Sequence, residues 1–258
     1  MGRAHRPGGR RRGGLGVGRH APRRAGRLPA DRPGQGERDP QRHRHRRVRP
    51  GPGPSDPEKK YGIDRDRPYV IFVGRITRQK GLVHLLHAAR SFAPDAQLVL
   101  CAGAPDTPEI AAEVAGLVRG LDRKGVFWIS EMLPKPEVIQ LLTHASVFVC
   151  PSVYEPMGIV NLEAMACETA VVATTTGGIP EVVADGETGL LVPIDQGPDG
   201  TPHDPERFAA DLAGRVNTLL EDPARARAMG LAGRARAVEH FSWPAIARRT
   251  MELYASLM

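Results

Sequence analysis

YVIFVG (69–74) is the stretch that decides the fold. It is apolar at successive positions, rich in β-branched residues and closed by glycine, as expected of a strand covered on both faces. Five runs of the same kind follow: QLVLCAG (97–103), VFWI (126–129), SVFVCP (146–151), AVVAT (170–174) and LLV (190–192). Helical patterns separate them. The first spans 81 to about 92, with Leu82, Leu85 and Leu86 on one face. The second spans 107–121, with Pro108 in its first turn. Others cover 136–144, 158–167 and, more briefly, 179–184. Apolar strands alternating with helices predict a parallel sheet buried on both sides. The expected class is α/β, a single doubly wound, Rossmann-like sheet with strand order 3-2-1-4-5-6. Helices at about 205–220, 223–240 and 243–257 close the chain, the last opened by Ser242 as N-cap.

Working back from Tyr69, residues 56–68 read as a linker. Residues 1–55 have another character. They hold 16 Arg, no Lys and three acids, a net charge of +13, and lack Ile, Phe, Tyr, Trp, Asn, Thr and Cys. The other 20 Lys and Arg stand against 26 acids, a net of −6 over 56–258, so the overall +7 belongs to the first fifth of the chain. A segment so poor in large apolar residues cannot offset chain entropy, and its composition predicts disorder. A basic arm for nucleic acid is one reading, but interleaved aromatics are lacking, so nucleic acid is not the expected partner. An out-of-frame translation accounts for the composition better. Shifting the degenerate codons of Gln41–Val48 by one base permits Asn-Gly-Ile-Asp-Thr-Asp-Glu-Phe, an ordinary protein string.

No run of eighteen apolar residues exists, which excludes a membrane-spanning helix. The basic N-terminus lacks the apolar stretch of a secretory signal. Cys101, Cys150 and Cys167 form no CxxC pair and read as reduced thiols of a cytoplasmic protein.

In a doubly wound sheet, strands one and four are neighbours where the strand order reverses, and ligands bind beyond their C-terminal ends. Gly74 and Arg75 end strand one, with Lys80 five residues later. Strand four ends at Pro151, and Glu155 follows. The topology therefore brings Arg75, Lys80 and Glu155 to one crevice. Arg offers a fixed fork of donors and Lys a point charge, a pair suited to a diphosphate; solvated loop charges are the competing reading. Glu155-Pro156-Met157-Gly158 leads into a helix whose free N-terminal amides, at Ile159 and beyond, attract polar groups. Glu163 lies about two turns into that helix. Glu155 can accept from sugar hydroxyls and Glu163 from a ribose. An acid near a helix start is also favoured by the dipole alone. Thr176-Gly177-Gly178, after strand five, leaves bare backbone for a phosphate or sugar, or simply makes a tight turn. Gly13-Gly14-Leu15-Gly16 has no strand before it, Asp64-Arg65-Asp66 precedes a strand instead of ending one, and His84 with His87 lacks a third ligand. No metal site is expected.

FVGRITRQKGL (72–82), PSVYEPMGIVNLEAMA (151–166) and TTTGGIPEVVADGETGLLV (174–192) together resemble the C-terminal domain of retaining glycosyltransferases of family 4, which have the GT-B fold. The likeness covers about 69–258. WISEMLPKPEVIQLLTHASVFVCPSVYEPMGIVNLEAMA (128–166) is most similar to the actinobacterial glycogen synthase type, whose members use ADP-glucose to extend an α-glucan or to make maltose 1-phosphate. The resemblance implies that Arg75 and Lys80 neutralise the leaving diphosphate, so that no metal or other cofactor is needed. It assigns the donor sugar to Glu155 and the ribose to Glu163. Sugar and phosphate contacts fall to the backbone around Gly74, Met157, Gly158, Ile159, Thr176, Gly177 and Gly178. The implied partners are a nucleotide sugar and an α-glucan or glucose phosphate acceptor, with transfer retaining the α configuration. Other members of the family use UDP- or GDP-sugars, and a non-catalytic nucleotide-binding module is a further alternative. Such enzymes also carry an N-terminal Rossmann-like domain that residues 1–68 cannot form. The chain is thus expected to hold the donor-binding half and to transfer little by itself. The shifted-frame string resembles the segment that joins the two domains in this family.

Overall fold

The computed structural model describes residues 56–103 and 105–258. The arm 1–55, with its expected disorder and its out-of-frame reading, lies outside the described residues. The stretch read as a linker opens with a short helix, α1 (Pro57–Tyr61). Asp56 accepts from the Lys59 amide at 3.1 Å, Pro57 stands in the first turn, and Gly62 ends the helix at φ 73°. A helix this short is closed by its caps and leaves no periodic pattern. What holds it down is Glu58, fully buried, whose carboxylate accepts from His144 at 2.6 Å, Arg65 at 2.9 Å and Gln140 at 3.2 Å.

The sheet then builds as β1 (Tyr69–Arg75), β2 (Gln97–Gly103), β3 (Val126–Ile129), β4 (Val147–Cys150), β5 (Ala170–Thr174) and β6 (Gly189–Val192). All neighbours are parallel, in the order β3-β2-β1-β4-β5-β6. The intervening helices are α2 (Leu82–Ala88), α3 (Pro108–Arg119), α4 (Lys135–His144), α5 (Ile159–Ala166) and α6 (Ile179–Val182). After β6 come α7 (Pro205–Glu221), α8 (Pro223–Phe241) and α9 (Trp243–Ser256). Successive strand side chains serve opposite layers. Val70, Phe72, Leu98, Leu100 and Val149 pack with Leu85 of α2, Val114 of α3 and Leu212 of α7. Tyr69, Ile71, Val99, Phe148 and Val171 pack with Leu141 of α4, Met165 of α5 and Val182 of α6. An apolar layer covers each face of the sheet, which is why the strands read as continuous apolar runs.

One feature of register positions the site. β1 pairs with β2 along its whole length, from Tyr69↔Gln97 to Arg75↔Gly103. Against β4 it pairs only at Val70↔Val147 and Ile71↔Phe148. Beyond Ile71 the two central strands pair no further, at the place where a doubly wound sheet forms its ligand crevice.

Candidate functional site

Lys80 closes a single turn of 3-10 helix, Arg78–Lys80, capped by Thr77. Gly81 follows at φ 64°, and a Cβ there would stand 1.9 Å from the Pro151 carbonyl oxygen. Only glycine lets the chain after β1 touch the chain after β4. The Val153 amide then donates to the Gln79 carbonyl at 2.9 Å. Through this junction Lys80 Nζ lies 2.6 Å from Glu155 Oε2. The carboxylate is nearly buried, at 8% exposure, and held from three sides. Ser152 Oγ donates to Oε2 at 3.3 Å, and the Gly158 amide donates to Oε1 at 3.2 Å.

The β5 loop seals the other side. Gly178 N donates to the Glu155 carbonyl at 2.9 Å. A Cβ at Gly177 would meet that carbonyl oxygen at 2.0 Å, and one at Gly178 would meet the Pro156 carbonyl at 2.5 Å. Thr176 is buried and donates its hydroxyl to the Val153 carbonyl at 3.1 Å. Lys80, Glu155, Gly158, Thr176, Gly177 and Gly178 thus form one constellation.

The remaining residues stand around it. Gly74 lies near the end of β1, and Arg75 ends it with its side chain 65% exposed. Arg75 Nη1 contacts Asp106 Oδ1 at 3.2 Å instead of joining Lys80. Arg78 pairs with Glu113 at 2.6 Å, so three cations at this rim each face one acid. Glu163 projects from α5 and meets Lys135 Nζ at 3.6 Å. With Ile159 it lines a cavity of about 520 Å³ shared with Phe241 and Trp243. Met157 and Ile159 are about half exposed beside the crevice. Sequence reasoning did not single out Ser152, Asp106 or Lys135. Ser152 had a signal, a polar residue two positions after a buried strand; the other two are ordinary loop and helix-start charges until the fold pairs them.

The decoys resolve simply. Asp64 Oδ1 accepts from the Asp66 amide at 2.9 Å, a local turn. His84 sits edge-on to Phe208, its ring centroid 5.3 Å away, and burial lowers its proton affinity. Burial also pushes the Cys101 thiol up to about 12 and the Cys167 thiol to about 11, so both are poor nucleophiles. Among the described residues, no helix is long and apolar enough to cross a membrane.

Comparison with known proteins identifies the family. The family described as Glycosyl transferases group 1 matches residues 56–236. An α-maltose-1-phosphate synthase of Mycolicibacterium smegmatis is 62% identical over 195 residues, covering 75% of this chain and 49% of that protein. The chain therefore spans about half the length of the curated relatives it matches. Among solved structures, sucrose-phosphate synthase from Thermosynechococcus elongatus superposes with a TM-score of 0.64 at 35% identity, over 78% of this chain and 48% of that one. Anabaena HepE in complex with UDP and glucose superposes with a TM-score of 0.64 at 25% identity, over 79% and 53%. The sheet is that of the Rossmann-like C-terminal domain of GT-B glycosyltransferases.

Proposed function

The chain belongs to the group 1 glycosyl transferases, and from that premise we propose that it forms the donor-binding half of a glucosyltransferase active site. The donor is ADP-glucose, and glucose passes with retention to an α-1,4-glucan or a glucose phosphate. The observation that carries the proposal is the Lys80–Glu155 pair at 2.6 Å, set in the crevice where β1 and β4 part. As the bond from the sugar to the nucleotide breaks, negative charge grows on the leaving diphosphate. Preorganised cations next to that charge lower the barrier. Lys80 is held in place for this by Glu155, and the exposed Arg75 can turn from Asp106 towards a phosphate. Glu155, fixed by Lys80 and the Gly158 amide, keeps lone pairs for sugar hydroxyls. Glu163 accepts from the ribose.

The 62% identical relative is named for a maltose 1-phosphate product, which supports a sugar phosphate as one acceptor. In this proposal the acceptor wall belongs to the half of the relatives' length that the chain does not span. Titration calorimetry of the chain with ADP-glucose, UDP-glucose and GDP-mannose is the test. ADP-glucose should bind about tenfold or more tightly than the other two, a gap of about 1.4 kcal/mol. Equal affinities would remove the ADP-glucose assignment, and no binding of any of the three would remove the donor site.

A further inference from the structure

Behind Glu155 runs a buried row of polar groups that the donor chemistry above does not use. Ser152 is 1% exposed, and its Oγ lies 3.3 Å from Glu155 Oε2 and 3.5 Å from Cys150 Sγ. A carboxylate draws a hydroxyl hydrogen far more strongly than a sulfur does. Ser152 therefore donates to Glu155 and is free to accept from the thiol. Cys150 is itself buried, and burial raises its proton affinity, so it has an S–H to give.

Asn161, in the first turn of α5, completes the row. It is fully buried, and neither atom of its amide makes a well-formed hydrogen bond. Its Nδ2 lies 2.7 Å from where a Cβ on Gly158 would stand. A buried amide without good partners lowers fold stability, whereas leucine has the same branching and no polar atom to desolvate. Packing alone gives no reason for an asparagine there. Its place beneath Gly158, whose amide holds Glu155 Oε1, gives one.

We propose that Ser152, backed by Cys150 and Asn161, is the positioning residue that fixes the Glu155 carboxylate against Lys80. Ser152 and Lys80 meet the same oxygen, Oε2, and the Gly158 amide meets the other, which leaves the carboxylate little freedom to rotate. The geometry stands on its own; its consequence for sugar binding rests on the donor reading of Glu155.

The test has two arms on the full chain, as wild type, Ser152→Ala and Asn161→Leu. In the first, reductive dimethylation followed by peptide mass mapping reads the reactivity of Lys80 without any ligand, with the exposed Lys124 as internal standard. Loosening Glu155 should speed Lys80 modification about threefold or more in Ser152→Ala, the scale of one weakened hydrogen bond. In the second arm, calorimetry compares ADP-glucose with ADP, which lacks the sugar. Ser152→Ala should lose about tenfold in affinity for ADP-glucose and under about twofold for ADP, since only the sugar meets Glu155. Asn161→Leu should shift both readouts the same way, to a smaller extent, without lowering the melting temperature. Wild-type Lys80 reactivity and an unchanged ratio of ADP-glucose to ADP affinity in folded Ser152→Ala would overturn the inference. If that variant does not fold, the same results in Asn161→Leu overturn it. Faster Lys80 labelling in a chain whose wild type binds no ADP-glucose would support the positioning row and overturn the donor reading instead.

Discussion

Replacing Lys80 by methionine removes one ammonium and keeps most of the stem. Its Nζ lies 2.6 Å from Glu155 Oε2, with the two side chains 26% and 11% exposed. At that separation the gross attraction is about 6 kcal/mol for an effective dielectric of about 20. Desolvation of both groups offsets most of it, so the pair itself adds little net stability. Removing one partner is another matter, because Glu155 is left charged in a nearly dry site with only Ser152 and the Gly158 amide. We expect Lys80→Met to cost about 2–3 kcal/mol at pH 7, below the roughly 3–5 kcal/mol of a fully buried broken pair because Lys80 is partly solvated. For a folded region of this size that lowers the melting temperature by about 5–10 °C. Glu155→Gln in the same background should restore about half of the loss, since the stranded charge is gone. Urea denaturation of wild type, both single variants and the double variant closes the cycle, with an expected coupling of about 2 kcal/mol. Strict additivity, or a single variant as stable as wild type, would refute the idea that Lys80 and Glu155 act as one unit.

Other predictions follow from the same geometry. Arg75→Ala and Lys80→Ala should each weaken ADP binding by roughly 1.5–3 kcal/mol while leaving adenosine nearly unaffected; equal losses for both ligands would mean that the pair does not meet phosphate. Arg75→Ala should leave the melting temperature unchanged, because its side chain is 65% exposed. Burial alone would raise the Glu58 carboxyl, but hydrogen bonds from His144 and Arg65 outweigh it and bring it down from 4.5 to about 2. A lowered folded-state pKa adds stability above the unfolded value that is lost as pH falls through the folded one. The advantage of wild type over Glu58→Gln should therefore be flat above pH 5 and shrink by roughly 2 kcal/mol between pH 4.5 and 2; a constant difference across that window would contradict the assignment. Gly177 and Gly186 both have positive φ, 54° and 77°, but a Cβ at Gly177 meets the Glu155 carbonyl at 2.0 Å and one at Gly186 meets nothing within 4 Å. Gly186→Ala should cost only the left-handed backbone strain, about 1–2 kcal/mol, and Gly177→Ala about 1–3 kcal/mol more from crowding; equal urea midpoints would show that the β5 loop is not clamped on Glu155.

Much of this molecule is legible along the chain. Each strand is apolar at consecutive positions because both layers cover it, as Val70 and Ile71 show by facing opposite cores. Strand order follows from right-handed crossovers, which leave few ways to wind such a sheet. Once β1 and β4 are neighbours, Lys80 and Glu155 must end at the same crevice although 75 residues separate them. The glycines at 177 and 178 signalled close backbone approach without saying what approaches, and the contact at Gly81 was not signalled.

The partners of charged and polar side chains were not legible. Nothing near Glu58 in the sequence points to His144, 86 residues away, and a five-residue helix shows no period. Asp106 beside Arg75 and Lys135 beside Glu163 are equally silent. The sequence by itself determined the layers, the strand order and the end of the sheet where a ligand meets backbone, because hydrophobic burial is non-directional and leaves a periodic trace. Only the tertiary structure decided which cation meets which acid, and that Arg75 and Glu163 stand apart from the Lys80–Glu155 cluster. Hydrogen bonds and ion pairs act over a few ångströms with strict geometry, so their partners exist only where the folded chain has brought two distant loops together.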